Sequence, residues 1–561
     1  MTATTDDERT PLLSNGLPVT PDGLDSPVSP ISQKAVFKET SFGDLVWILV
    51  GLWTAVFLGA LDGTIVATLL SPIGSYFNKS NQASYLGTSY LLSVAACTPL
   101  YGRLSDIIGR KGAMLLGVGL FTLGTLLCGL APSMEFLIFA RAVAGTGGGG
   151  YLSFSSITVT DLVPLRKRGQ YQGVANICFG LGAGLGGPLG GWLNDAMGWR
   201  FAFLIQIPFL LLSSAVIAWK VNVPLPPAVQ SLPLRDKLNR IDYLGSFTLV
   251  LTISAVLLPI SLKATEDIPW SHPLVWGLLA GSIIPGSAFV WVESNWSPYP
   301  ILPLRLIKER TVLAVALTNF FVSAQAFSVL YNVPMYFAAV RQASASESGL
   351  HLLPNSVALA VGSLFAGWEM RRSGKYWWLI FGSSLMSLLA TILLVFWNDG
   401  TSWFELWFDI VPSGFGASSA ITATLIAIIA SASRDDVAVA TGITYTFRTV
   451  GQVLGVSLSG ATVQGVLVRQ LRERITGPGS EKIIEQVRHS TSSISDLEPT
   501  LRKAALDSYA VAMRVVFIGQ VVTAVFLVLS TLPIQEFPLP GSHEEQAEIE
   551  RRRQERLSNR I

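Results

Sequence analysis

Runs of about 20 mostly apolar residues, the length a helix needs to cross a bilayer, recur along this chain with short polar breaks between them. Fourteen such spans are predicted, at roughly 45–70, 84–103, 112–131, 135–158, 169–192, 201–221, 242–262, 273–293, 312–338, 346–369, 376–397, 403–430, 437–465 and 511–532. The breaks carry the cations: Arg103, Arg110 and Lys111; Arg166, Lys167 and Arg168; Arg235, Lys237 and Arg240; Arg305, Lys308 and Arg310; Arg371, Arg372 and Lys375. An even number of spans puts these loops and both termini on one side, and the excess of Lys and Arg assigns that side to the cytosol. The stretch at about 466–508 is the exception. It is predicted as a long lumenal loop although it holds Arg469, Arg472, Arg474 and Lys482. Asn78, in the sequon Asn78-Lys79-Ser80, also falls on the lumenal side and is a glycosylation candidate.

Composition agrees with this pattern. Of 561 residues 50% are hydrophobic and only 14% charged, with a mean hydropathy of +0.49, whereas about a quarter of a soluble domain is charged. The fold class expected is an all-α polytopic membrane protein. A net charge of +2 gives no support for a nucleic-acid partner. Cys97, Cys128 and Cys178 all fall inside apolar runs, where a thiol behaves as a small hydrophobe and implies no disulfide framework. The four histidines, His272, His351, His489 and His543, are scattered, and neither H-E-x-x-H nor G-x-S-x-G occurs. No enzyme, metal site or cofactor is therefore expected.

Both ends read as tails. Residues 1–44 are rich in Ser, Thr, Pro and Asp, cannot bury a core, and are expected to be a disordered cytosolic segment without a secretory signal. Residues 533–561, with Arg551, Arg552 and Arg553, are expected to be a charged, solvated cytosolic tail.

A repeat organises what lies between. Gly367 and Gly374 stand seven apart with Lys375 following, as Gly102 and Gly109 do with Arg110, at an offset of about 265 residues that carries the first six spans approximately onto spans nine to fourteen. The expected architecture is a six-helix half at 45–221, a linker with two inserted helices at 222–311, and a second six-helix half at 312–532. Arg371 then stands where the first copy has Asp106.

A few polar groups sit inside the spans at a cost. A carboxylate at the centre of a membrane helix costs roughly 2.5 to 3.5 kcal/mol, which makes Asp62 a candidate for reversible protonation. Arg141 in the fourth span is available to neutralise it or to anchor helix packing. The fifth span is glycine-rich from Gly180 to Gly191, a composition that lets helices approach closely. Tyr90, Asn176, Tyr331, Asn332, Asp409, Tyr445 and Arg448 are further in-span polar residues and candidates for a cavity lining, Asp409 and Arg448 above the others because buried charges face a bundle interior.

Several of these stretches resemble known motifs. The loop with Gly102, Leu104, Asp106, Gly109, Arg110 and Lys111 resembles the signature between the second and third helices of the major facilitator superfamily, with Ile107 departing from it. The resemblance implies a cytosolic latch in which Asp106 holds the outward-facing state. Leu61-Asp62-Gly63-Thr64-Ile65-Val66 and Trp199 to Pro208 resemble motifs of the fourteen-span drug:proton antiporter subgroup. Arg141 to Gly149 resembles its arginine motif of span four, which implies a part for Arg141 in proton transfer, with Ala144 in place of the glutamine. Gly182, Gly187, Pro188, Gly190 and Gly191 match the antiporter motif, which the resemblance assigns to sealing a leak between the halves. Glu8, Leu12 and Leu13 resemble an acidic dileucine signal, which implies sorting by an adaptor complex.

Taken with Tyr331 to Phe337, these features look like the fungal vacuolar basic amino acid transporters. That likeness implies proton-driven movement of lysine, arginine and histidine from the cytosol into the vacuole, with the cationic substrate and the proton competing for Asp62. The alternatives are a multidrug:proton exporter at the plasma membrane and a transporter-like nutrient sensor that binds without turnover.

Overall fold

Apolar sequence makes long helices here, and glycines with positive φ end them. Gly109 (φ 90°) and Gly374 (φ 69°) turn the chain at the two repeated loops, and Gly374 N–H caps the preceding helix on Met370 O. The computed structural model describes residues 42–539 apart from 78, 80–84, 164, 222–235, 237–241, 267–270, 298–303, 344, 399, 433–435, 478, 490–493 and 495–496. The dileucine residues Glu8, Leu12 and Leu13, the sequon Asn78, and Arg235, Lys237 and Arg240 thus lie outside the described residues. So do the side chains of Arg103, Asp106, Arg166 and Lys167, and for Gly102 only the helical backbone is described.

The long helices in order are α1 Phe42–Tyr76, α2 Tyr85–Ile108, α3 Arg110–Gly129, α4 Met134–Leu162, α5 Leu165–Met197, α6 Trp199–Lys220, α7 Tyr243–Glu266, α8 Pro273–Trp296, α9 Arg310–Ala339, α10 Leu353–Ser373, α11 Trp377–Val395, α12 Trp403–Ser431, α13 Val437–Arg474 and α14 Pro499–Thr531. Ten of them are long and apolar enough to cross a membrane. Among the described residues the other four, α2, α4, α5 and α10, fall short of that measure and carry more glycine, serine and charge. Together they are consistent with the fourteen predicted.

The pairing of helices is the same twice over. α1 packs on α5 and α6, α2 on α4, and α3 on α4 and α6; likewise α9 packs on α13 and α14, α10 on α12, and α11 on α12 and α14. The two sets meet through α5 with α10 and α2 with α13, the same two positions exchanged. The inserted α7 lies against α2 and α13, along one of those seams, and α8 covers α7. The 265-residue offset fails only for the sixth pair. It carries α6 onto the end of α13, because a folded excursion separates α13 from α14.

That excursion corrects the loop expected at 466–508. α13 continues to Arg474, Ser480–His489 is helical, and α14 begins at Pro499. Leu467, Leu471 and Ile475 fall four apart on one face and are buried with Ile484, Val487, Ala505 and Tyr509. Arg472 pairs with Glu481, Arg474 donates to Ser508 Oγ, and Tyr509 OH donates to Val487 O. Two of the cations that are anomalous for a loop, Arg472 and Arg474, are therefore partners within a helical cap.

The start of the C-terminal tail needs correcting too. Residues 532–539 fold back, burying Ile534 and Leu539, and Tyr376 OH donates to Gln535 O while Phe537 N–H donates to Tyr376 OH. Glu536 accepts from Tyr376 N–H at 2.8 Å and Trp377 N–H at 3.0 Å, capping the first turn of α11.

The halves do not part evenly. Lys111, Arg310, Arg371, Arg372 and Lys375 are exposed at one end of the bundle, called the basic end here. Near it α5 and α10 touch backbone to backbone: a Cβ on Gly367 would meet Gly169 C at 2.7 Å. Along the two helices the nearest atom of α10 to such a Cβ recedes to 3.2 Å at Gly173, 3.4 Å at Gly180 and 4.0 Å at Gly184, and beyond that a Cβ on Gly187, Gly190 or Gly191 would meet only α1. The interface is closed at the basic end and splays at the far end.

Candidate functional site

Asp62 lies near the middle of α1, and Arg141 about two turns into α4. They meet: Arg141 Nη1 donates to Asp62 Oδ2 at 2.6 Å, with the two side chains 1% and 0% exposed. Arg141 Nε also donates to Leu86 O at 3.2 Å, and the guanidinium lies 4.3 Å from the centroid of the Tyr90 ring. The Tyr90 and Tyr151 hydroxyls are 3.3 Å apart. Asp62 Oδ1 is buried with no hydrogen-bond partner. α1, α2 and α4 thus enclose a charged cluster, with Cys128 of α3 hydrogen-bonded to Arg141.

Glycine makes this enclosure possible. A Cβ on Gly59 would meet Tyr151 Cζ at 2.1 Å, and one on Gly145 would meet Tyr90 O at 2.4 Å. The arginine motif of α4 therefore does two jobs: Arg141 neutralises the carboxylate, and the glycines after it let α2 close over the pair.

The antiporter motif faces two ways. Gly182 lies against Phe57 O, where a Cβ would come within 2.3 Å, Gly190 against Ile65 Cα at 3.3 Å, and Gly186 against Leu61 O at 2.6 Å, so these form the α1–α5 contact. Gly173, Gly180 and Gly184 face α10 instead. Gly187 and Gly191 are loosely packed near Thr68, and Pro188 is exposed. In the Trp199-Arg200 motif, Arg200 donates to Ala131 O at 2.9 Å and covers the rings of Trp199 and Tyr76, fastening the start of α6 to the end of α1 and the α3–α4 turn.

A second cluster sits between the halves. Asn176 Nδ2 of α5 donates to Ser363 Oγ of α10 at 2.7 Å and Thr422 Oγ1 of α12 at 3.1 Å, while Ser363 and Thr422 bond to each other at 2.7 Å. Beside it is a cavity lined by Val56, Ser155, Gln172, Asn176, Phe179, Tyr445 and Arg448, continued by another that Asn319, Ile421, Leu425 and Thr444 line together with Tyr445 and Arg448. Each holds about 10 Å³, room for roughly one water molecule.

Of the seven cavity candidates, the structure brings Asn176, Tyr445 and Arg448 together. Tyr331 is 40% exposed on α9 and stands within electrostatic range of Arg141 across the opening. Tyr90 belongs to the Asp62 cluster. Asn332 is used within the second half, donating to Ser328 O and Ser459 Oγ. Asp409 lies at a kink of α12, half-buried, and accepts from Trp397 Nε1 at 3.0 Å. It does not pair with Arg448. Ser155, Gln172, Asn319, Ser363 and Thr422 are lining or seam residues that the sequence reading missed. Their only signal is a polar side chain on an inward helix face.

At the repeated loops, Arg110 Nη1 donates to Ser105 Oγ at 2.6 Å within the first copy. Lys111 is exposed. Among the described residues the second copy makes a contact between the halves at this end, Arg371 Nη1 donating to Gln170 Oε1 at 3.3 Å.

Among known proteins, the model of the Major Facilitator Superfamily matches residues 52–307 and 315–469. The chain is 39% identical over 499 residues to the multidrug resistance protein fnx1 of Schizosaccharomyces pombe, covering 88% of this chain and 93% of that one. It is 35% identical over 454 residues to the vacuolar basic amino acid transporter 1 of Saccharomyces cerevisiae, covering 76% and 79%. The fold is that of the human organic anion transporter MFSD10, with a TM-score of 0.54 at 16% identity over 85% of this chain and 99% of that structure. The duplicated helix pairing, the exchanged seam and these matches agree: the chain belongs to the Major Facilitator Superfamily and is a multi-span membrane transporter rather than an enzyme.

Proposed function

We propose that this protein is a proton-coupled antiporter that moves basic amino acids (lysine, arginine and histidine) from the cytosol into the vacuole lumen. The observation that carries this reading is the ion pair of Asp62 and Arg141, enclosed at mid-span beside a closed seam. A buried pair is expensive unless its groups work, and one carboxylate oxygen without a partner is a place for a proton. Protonating Asp62 releases its hold on Arg141 and loosens α1 from α4. With the carboxylate enclosed by α1, α2 and α4, coupling runs through Arg141 rather than through direct competition at Asp62.

The likeness to a vacuolar basic amino acid transporter supports the substrate and the membrane. On this reading the basic end faces the cytosol, so the arrangement described is closed to the cytosol and splayed toward the lumen, the state that admits a proton and releases cargo. Asp106, Gly109, Arg110 and Lys111 would latch it from the first copy and Arg371 from the second.

ATP-energised vesicles carrying the protein should accumulate labelled lysine. Accumulation that survives a protonophore, or that Asp62→Asn leaves intact, sinks the proposal. The likeness to a multidrug resistance protein favours a second reading, a drug:proton exporter at the plasma membrane. It predicts surface location of the tagged protein with Leu12 and Leu13 intact.

A further inference from the structure

A buried guanidinium needs an anion, and Arg448 has none. It lies about three turns into α13, is 9% exposed, and borders both cavities at the seam. Its Nε has no hydrogen-bond partner. The guanidinium lies 5.6 Å from the ring of Tyr445, one turn away on the same helix. Of the acids described within the two halves, Asp62 is engaged with Arg141 and Asp409 with Trp397. Among the described residues no carboxylate lies within ion-pair distance of Arg448.

Arginine does not shed its proton to relieve such a position, and an unpaired charge in low dielectric is strongly disfavoured. The site is therefore incomplete as the protein alone. We infer that Arg448 takes the α-carboxylate of the transported amino acid, an inference that rests on the amino-acid reading above. The planar fork suits a carboxylate with two parallel hydrogen bonds. Gln172, Asn176 and Ser155 from the opposite half supply neutral donors and acceptors around it. A carboxylate seated there is held by α13 on one side and faces α1, α4 and α5 on the other.

The cavity's size adds a mechanical consequence. A space for one water does not hold an amino acid, so loading requires α5 to draw away from α10 and α13. Asn176 is both a wall of that space and the donor that ties α5 to Ser363 and Thr422. Substrate entry and breaking of the seam are the same movement. Recognition is then split: Arg448 demands a free carboxylate, and other groups read the side chain. Lysine qualifies, and its decarboxylated counterpart cadaverine, with the same terminal ammonium, does not.

The test compares labelled lysine with labelled cadaverine in proteoliposomes under a proton gradient, with protection of the detergent-solubilised protein by each compound against thermal unfolding as a second readout. Wild type should move lysine at least about tenfold better than cadaverine, the ratio that one charge-assisted hydrogen bond supplies. R448Q should bring the ratio to about one by losing lysine while cadaverine is unchanged, and R448K should recover part of it. Removing an unpaired charge should not lower the melting temperature of R448Q, which separates loss of recognition from loss of fold. An R448Q that keeps the preference overturns the inference. A wild type that moves both compounds equally overturns it while leaving a cationic substrate standing. A wild type that neither moves nor is protected by any amino acid overturns the amino-acid reading and the Arg448 assignment with it.

Discussion

Arg141 and Asp62, 79 positions apart in the chain, are joined by a 2.6 Å hydrogen bond between side chains that are 1% and 0% exposed. Removing one partner of such a pair costs about 3–5 kcal/mol, because the other is left as an uncompensated buried charge. Arg141→Ala should therefore lower the melting temperature in detergent strongly, and Asp62→Asn combined with Arg141→Gln should recover much of the loss without restoring proton-coupled transport. Equal melting of Arg141→Ala and wild type would show that the pair contributes nothing to the fold.

Two glycines of one motif should respond differently to the same substitution. A methyl on Gly182 would lie 2.3 Å from Phe57 O, and one on Gly187 only 3.6 Å from Thr68 Oγ1. Gly182→Ala must push α1 from α5 at a cost of about 1–3 kcal/mol, whereas Gly187→Ala should stay within about 0.5 kcal/mol of wild type. Thermal unfolding of the two variants side by side measures the contrast.

The closed end of the seam depends on Gly169 and Gly367. A methyl on Gly367 would meet Gly169 C and O at 2.7 Å. Gly367→Ala should hold the halves apart there and cut several-fold the yield of a short cross-linker between cysteines placed at Gln170 and Arg371, whose side chains are hydrogen-bonded in the closed form. An undiminished yield would mean that the helices slide past the added methyl.

Asn176→Ala should also loosen the seam, since Ser363 and Thr422 then keep only each other. Each net hydrogen bond contributes about 0.5–1.5 kcal/mol, and the two lost together are enough to shift a balanced equilibrium roughly tenfold toward the form open at the basic end. Reactivity of a cysteine at Gly173 toward a water-soluble thiol reagent reports it.

Glu536 caps α11 from a segment beyond the last span. By analogy with N-cap losses, Glu536→Ala should cost about 1 kcal/mol, and truncation after Leu532 should cost more, because Ile534 and Leu539 leave the core as well. A melting curve for each variant gives the comparison.

Much of this molecule was legible in the chain, and for clear reasons. A bilayer requires about 20 apolar residues per crossing, so the spans are written locally, and glycine takes the φ of Gly109 and Gly374 without strain. The expense of a carboxylate at mid-span marked Asp62, and the sole arginine of the fourth span was its available counterion. Where the pattern is apolar at intervals of four yet interrupted by cations, as at Leu467, Leu471 and Ile475, the sequence predicts a loop and the structure has a helical cap.

What the sequence by itself determined is the set of helices, their duplication and the cost of each buried charge, because these depend on residues near one another in the chain or on the solvent. The tertiary structure decided which costs are settled internally. It pairs Asp62 with Arg141 and Asp409 with Trp397, ties Asn176 to partners 187 and 246 positions away, and leaves the Arg448 guanidinium at a seam without an anion. Those outcomes depend on how helices from two halves cross, and no local pattern encodes a distance between residues that meet only when the halves close.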